Sequence, residues 1–331
     1  GLLEKCQEQR LSDSDEEMQI VRIRPESNKI RQVKALILVC GFLMASVGII
    51  VPVGHAEGGA FPGLLTCPAT YQEVSDEARM YNEDDKQISN IDDYIKTFRS
   101  KPFDEWDVSY ENFKEKLQRY KAEKFASLKS GDIVYESACG IGLNLVATLE
   151  VLEEQHNITD LVVYGNDFAQ NSVELANKLM DGGILPANGH KGAICQSDSK
   201  NLSFVPKDSF DLVFTGYLTN VWDPLETGLD EEDMWDYYSN VCLGEEPNSK
   251  QLLELWTSRQ EEWYTQWVGE MVRIAKPGSP VIIEQISQPY CDNPRDWDGM
   301  NRTFWENGIQ DGIWDVDPSS LEMVTAEIDN S

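Results

Sequence analysis

Histidine is almost missing from this chain of 331 residues, which has only His55, His156 and His190. Three imidazoles so far apart, with no paired cysteines beside them, supply no tetrahedral ligand set, so no metal site is expected. Positive charge is scarce as well. Lys and Arg number 28 against 58 Asp and Glu, giving a net charge of −30. The first 34 residues carry seven of each sign, so all of the excess lies downstream. An acidic surface repels phosphate backbones and argues against a nucleic acid as partner or substrate. Cysteine is sparse too: positions 6, 40, 67, 139, 195, 242 and 291 form no CxxC pair and lack the density of a disulfide scaffold. Cys139 and Cys195 fall in apolar stretches, where cysteine acts as a small hydrophobe.

Long apolar runs are missing with one exception, the 19 uncharged residues from Ala35 to Val53. As a helix this run would be about 28 Å long, close to the thickness of a bilayer's hydrocarbon core. Arg22, Arg24, Lys29, Arg31 and Lys34 precede it, and the next basic residue is Arg79. That asymmetry predicts a single-pass transmembrane helix or signal anchor, with the N-terminus in the cytosol and everything downstream in a lumen. Cleavage after Ala56, which would give a secreted or organelle-targeted product, is the alternative. Three Asn-x-Ser/Thr sequons, at Asn157, Asn201 and Asn301, suit a lumenal domain. The expected organisation is a polar cytosolic tail over 1–34, the membrane segment over 35–53, a linker and helical lead over 54–99, and a catalytic domain over 100–331. Trp106, Tyr110, Phe113, Leu117, Tyr120 and Phe125 recur at helical spacing and predict an amphipathic helix from Trp106 to Leu128.

The chemistry begins at Asp132, where the short apolar strand DIVYE runs into Ser137-Ala-Cys-Gly140-Ile-Gly142 and then into a helical stretch from Leu143. Glycines at such a turn let the backbone approach a ligand closely, while the first helical N–H groups face its anionic end. Nicotinamide dinucleotide folds share this device, but their G-x-G-x-x-G pattern needs glycine at 145, where Leu145 stands. An NAD-dependent oxidoreductase is therefore the weaker reading. A second strand, LVVYG, ends at Asn166-Asp167. A third, GAICQ, ends at Ser197-Asp198-Ser199, and a fourth, FDLVF, ends at Thr215-Gly-Tyr217. Glu136, Asp167 and Asp198 are spaced by 31 residues and again by 31. Three successive β-α units that each end their strand in an acid would line one rim of a parallel sheet, where doubly wound folds bind ligands.

The series ESACGIG, GNDFAQNSVELA, the acid at Asp198, SFDLVF, and the helix from Trp267 to Lys276 followed by PGSPVIIE resembles the class I S-adenosylmethionine-dependent methyltransferase family over about residues 106 to 290. The resemblance implies a doubly wound, Rossmann-like α/β fold with a mostly parallel sheet, S-adenosyl-L-methionine as cofactor, and methyl transfer to an N, S or O atom of a small molecule. It implies that Gly140 and Gly142 contact the methionine portion and that Glu136 orients its ammonium. Asp167 would hold the ribose, Phe168 and Asp198 the adenine, with Ala138, Ser199 and Thr215 completing the lining. Ala138 stands where the family's first turn glycine is usual.

Methyl transfer from a sulfonium needs alignment and exclusion of water more than reactive side chains. The acceptor pocket is expected above strands four and five, where Tyr217, Trp222, Tyr290, Trp297 and Trp305 would cage an organic or cationic acceptor. With no histidine base in reach, Asp223 or Tyr217 is the candidate catalytic group, with Asp292 behind them, unless the acceptor is itself nucleophilic, as an amine or thiolate is. The family closes its sheet with an antiparallel seventh strand between strands five and six. Here Leu321 to Ala326 reads as strand six and little chain follows, so the seventh strand is expected to be missing. A membrane-tethered, non-catalytic module that keeps the fold only to bind a partner is the rival reading.

Overall fold

The computed structural model describes residues 17–25, 64–68, 102–103, 108–109, 128–215, 225–229, 231–286 and 300–327. Five parallel strands form the body of one sheet: β4 (Ile133–Ser137), β5 (Val162–Asp167), β6 (His190–Gln196), β7 (Leu212–Thr215) and β8 (Val281–Ile286). All are short, and β4, β5, β7 and β8 are rich in Val, Ile, Leu or aromatic residues, as strands covered on both faces must be, whereas the edge strand β6 (HKGAICQ) is buried only toward its carboxyl end. A short hairpin, β2 (Pro102–Phe103) with β3 (Val108–Ser109), stands apart from the sheet. It corrects the expected helix start at Trp106, since Val108 and Ser109 are extended; residues 110–127 of that helix lie outside the described residues.

Helices α1 (Leu143–His156) and α2 (Gln170–Asp181) cover one face. There Leu145, Leu149, Leu152, Ala176 and Leu179 pack on Val134, Val163, Phe214 and Ile282. Helix α3 (Glu231–Leu243) precedes α4 (Ser249–Ile274), and α5 (Arg302–Gln310) follows β8. Trp267, Met271 and Val268 of α4, with Trp305 of α5 and Trp314, pack on Tyr135, Val213 and Ile283 across the other face. The N-terminal part of α4 pairs with α3 instead, through Trp256, Tyr238 and Met234.

The full strand order is β6-β5-β4-β7-β8-β1-β9, with β1 spanning Glu17–Ile23 and β9 spanning Glu322–Glu327. Strand six is thus where the sequence places it. The slot beside it is not missing, as expected, but filled by β1 (Glu17–Ile23), antiparallel to both β8 and β9. Met18 faces Ile286 on one side and Ala326 on the other, and Ile23 faces Val281. Val21 and Ile23 are fully buried, which is why a seven-residue segment in a polar tail can hold this place.

This strand also corrects the expected topology. Val21 and Ile23 share a core cluster with Leu65, and Cys67 is disulfide-bonded to Cys195 of β6. The residues on either side of Ala35–Val53 therefore belong to one folded body. A single crossing would put them on opposite sides of a membrane, so β1 and that topology exclude one another. The apolar run itself lies outside the described residues, among which no helix is long and apolar enough to cross a membrane. The Cys67–Cys195 bond corrects a second expectation, that Cys195 is a plain core thiol; Cys242 is disulfide-bonded as well.

Candidate functional site

At the carboxyl end of β4 the chain leaves the sheet through a turn that uses left-handed backbone three times: Ala138 at φ +55°, Gly140 at +50° and Gly142 at +82°. Only Ala138 pays a steric penalty there, of about 1–2 kcal/mol, because its Cβ crowds the following carbonyl. Gly142 sits at the N-cap of α1, and a Cβ on it would lie 2.6 Å from the Met180 methyl. Gly140 differs. Among the described residues nothing lies within 4 Å of where its Cβ would be, so its outer face is open space suited to a ligand.

The three rim acids end adjacent strands, as their spacing predicts. Glu136 is fully buried, and its Oε1 accepts a 2.7 Å hydrogen bond from Nδ2 of Asn144, in the first turn of α1. Asp167 holds the turn itself: its Oδ2 accepts from Gly140 N–H at 2.8 Å and its Oδ1 from Ala169 N–H at 2.9 Å. Asp198 is half-buried and caps its own turn, with Oδ1 accepting from Lys200 N–H at 2.9 Å. Phe168, half-buried, is fixed by its carbonyl, which accepts from Gln196 Nε2 at 3.0 Å.

Beneath the rim, Asn166 ties the strand ends together. Its Oδ1 accepts from Tyr135 Oη at 2.9 Å, and its Nδ2 donates to Ser199 Oγ at 3.0 Å and to the Ser197 carbonyl at 3.2 Å. Trp267 Nε1 donates to Ser137 Oγ at 2.9 Å from the opposite layer. Burial pushes the Tyr135 phenol well up, so it stays a neutral donor. Burial, then Glu136 and Asp167, push the Cys139 thiol well up too, so this free cysteine in the turn is protonated and no nucleophile. Asn144 and Asn166 were not singled out from sequence. For Asn166 the only local signal was an amide beside a strand-end acid.

The site fits a nucleoside cofactor bearing a carboxylate. Besides the open face of Gly140, the hydroxyls of Ser197 and Thr215 are buried at the tips of β6 and β7 without a hydrogen-bond partner among the described residues. Such groups are costly unless something satisfies them.

The candidate acceptor residues fare differently. Tyr217, Trp222, Asp223, Tyr290, Asp292 and Trp297 lie outside the described residues. Trp305 does not belong to a cage: it is fully buried against Trp314, with Nε1 donating to the Met300 carbonyl at 3.2 Å. His156 ends α1 and His190 begins β6, at the opposite end of the sheet from the rim. Among the described residues no group of His, Cys, Asp and Glu is arranged to hold a metal.

No family model and no curated protein matches the chain. Among solved structures it is similar to a SAM-dependent methyltransferase from Methanosarcina mazei at 19% identity, over 50% of this chain and 58% of that one, with a TM-score of 0.33. It is also similar to an S-adenosylmethionine-dependent methyltransferase from Clostridium acetobutylicum, at 16% identity over 64% and 59% of the two chains, TM-score 0.33. A third is magnesium protoporphyrin IX methyltransferase from Synechocystis with bound SAM, at 12% identity over 73% and 88%, TM-score 0.37. The chain thus spans less than two thirds of the first two.

Proposed function

We propose that the chain is an S-adenosyl-L-methionine-dependent methyltransferase acting on a small molecule. The observation that carries this reading is the shared rim: an open glycine turn and three strand-end acids on adjacent parallel strands, with β1 closing the sheet in the order that the resemblance implies. Gly140 and the start of α1 would receive the methionine carboxylate, and Glu136, steadied by Asn144, its ammonium. Asp167 would take the ribose hydroxyls. Phe168, Asp198 and Ser199 would take the adenine, with the Thr215 hydroxyl facing the cleft. When bound, the cofactor supplies an activated methyl on a sulfonium, and the protein's part is alignment and exclusion of water.

Titration calorimetry with S-adenosylhomocysteine tests the reading. Wild type is expected to bind, whereas Gly140→Val, which fills the open face, is expected to weaken binding by at least 100-fold. Part of that loss is backbone strain, since valine is a poor fit to φ +50°. Gly140→Ala carries the same strain class with less bulk and should lose less. Equal binding by all three proteins would sink the assignment. Binding without any methyl transfer would favour the tethered, non-catalytic module, and a melting temperature raised by NADH instead would favour the oxidoreductase.

We further propose that the domain works in an oxidising, lumenal or extracellular compartment. The Cys67–Cys195 bond, the second disulfide at Cys242, and the exposure of Asn157, Asn201 and Asn301 support this. With β1 in place, membrane attachment through Ala35–Val53 is possible only from the side on which the domain lies. Protein isolated from its native membrane fraction under thiol-blocking conditions is expected to run faster on non-reducing than on reducing gels and to lose mass with an N-glycosidase. Fully reduced, unglycosylated protein would place it in the cytosol.

A further inference from the structure

Asn166 and Asp167 are neighbours on β5, so their side chains leave opposite faces of the sheet. Asp167 reaches the glycine turn that follows β4. Asn166 shares the other face with Val162 and Tyr164, which belong to the core under α4, and it is 0% exposed. A buried amide is costly unless its polar groups are paired, and here both ends have partners. Tyr135 Oη donates to Oδ1 at 2.9 Å, while Nδ2 donates to Ser199 Oγ at 3.0 Å and to the Ser197 carbonyl at 3.2 Å. A carbonyl only accepts, so the NH2 group must face Ser197 and the amide has one orientation. These two N–H bonds fall on either side of Asp198. The loop is closed further around it: Ser197 N–H donates to the Asp167 carbonyl, Lys200 N–H to Asp198 Oδ1 and Asn201 N–H to the Asp198 carbonyl, each at 2.9 Å. The segment after β6 is thus pinned to β5 by one buried side chain and one backbone bond. An apolar residue at 166 would fill the same space but offer Ser199 no bond.

We propose that Asn166 is a positioning residue that sets the base selectivity of the cofactor site: by holding Ser197 and Ser199 it fixes the Asp198–Ser199 pair that reads adenine. The inference rests on the methyltransferase reading above. With its oxygen accepting from Asn166, the Ser199 hydroxyl still has its proton to give, and the Asp198 carboxylate only accepts. Adenine presents an accepting N1 beside a donating amine, which such a pair can match. Hypoxanthine presents a donating N1 beside an accepting oxygen, the reverse arrangement. A pair held rigidly rejects the reversed edge, because polar groups on both sides are then left unpaired. A pair on a loose loop turns to suit either edge, or turns to water, and the preference fades. Adjacent residues of β5 thus divide the site, Asp167 holding the glycine turn and Asn166 the base-reading end.

The test uses the full chain with S-adenosylhomocysteine and S-inosylhomocysteine, in which hypoxanthine replaces adenine. Calorimetry gives the ratio of their dissociation constants, which in wild type should favour the adenine compound by roughly 30-fold or more. Asn166→Leu, of similar volume, should bring that ratio to within about threefold, chiefly through weaker binding of S-adenosylhomocysteine. Asn166→Thr suits a strand and supplies one donor in place of two, so it should fall between them and serves if the leucine variant does not fold. Tyr135→Phe removes the bond to Oδ1 but leaves both N–H bonds, so it should lower the melting temperature and keep the wild-type ratio. Amide hydrogen exchange without ligand reads the loop directly: the Ser197, Lys200 and Asn201 N–H groups should exchange about tenfold faster in Asn166→Leu, with β4 and β7 protected as in wild type. A residue that only supports the core would lower the melting temperature and raise exchange throughout the sheet with the ratio unchanged, and that result overturns the proposal. Wild type that binds both nucleosides equally well overturns the base selectivity alone. Wild type that binds neither overturns the methyltransferase reading and the selectivity with it, while exchange still decides whether Asn166 holds the loop.

Discussion

Deleting residues 1–25 is expected to lower the melting temperature by roughly 10–20 °C or to abolish the cooperative transition. In the sheet of the described residues, strand β1 lies between β8 and β9, which do not pair with each other. Its loss exposes both strand edges and empties the space of two fully buried side chains, Val21 and Ile23. Burying side chains of that size is worth about 1.5–3 kcal/mol each. The sum is a large share of the 5–15 kcal/mol by which a domain is usually stable. Thermal denaturation followed by circular dichroism reads the effect, and a synthetic peptide of residues 15–25 added in trans should restore part of it. Val21→Asp in the intact chain should act in the same direction without shortening it. A truncated protein that melts with wild type would mean that β1 is not part of the working sheet, and would reopen the single-pass topology that its pairing excludes.

That strand also shows where sequence reading stops. Four of the five parallel strands were legible because they are buried on both faces, so apolar composition alone marks them, and the edge strand β6 because an acid follows its end as in its neighbours. Leu321 to Ala326 was legible as a strand for similar reasons. EMQIVRI was not: it is a short mix of charged, polar and apolar residues without strict alternation in a charge-balanced tail, and both of its partners lie more than 250 residues away. Nothing local fixes such a pairing. The Cys67–Cys195 bond is of the same kind, joining residues 128 apart with no spacing motif. At the site, residue types at strand ends could be read, but their partners could not. That Asp167 holds the glycine turn, and that Asn166 binds three neighbours, follows from geometry that only folding brings together. Trp305 was assigned to a cage because aromatic content alone does not distinguish a lid from a core.

Asp167→Ala is expected to damage stability and cofactor binding together, and the two losses can be separated. In the folded chain this side chain satisfies the N–H groups of Gly140 and Ala169 at once. The residue is only 6% exposed, so water replaces the lost acceptor poorly. Each buried donor left unpaired costs about 1–3 kcal/mol, so the alanine variant should lose about 2–6 kcal/mol of stability. The turn that presents Gly140 then loses its side-chain tie to β5 and is left with the bond from Cys139 N–H to the Asn166 carbonyl. Two hydrogen bonds from ribose hydroxyls to an ionised acceptor, at about 1.5–3 kcal/mol each, are lost in addition, which predicts at least a 100-fold fall in S-adenosylhomocysteine affinity. Asp167→Asn keeps one oxygen but must turn its NH2 group toward one of the two backbone donors. It should therefore lie between wild type and Asp167→Ala in melting temperature and in affinity. If Asp167 only braces the turn, both variants lose stability, but at temperatures well below their melting points their affinities stay within about threefold of wild type. That result would leave the fold intact and remove the ribose role from this carboxylate.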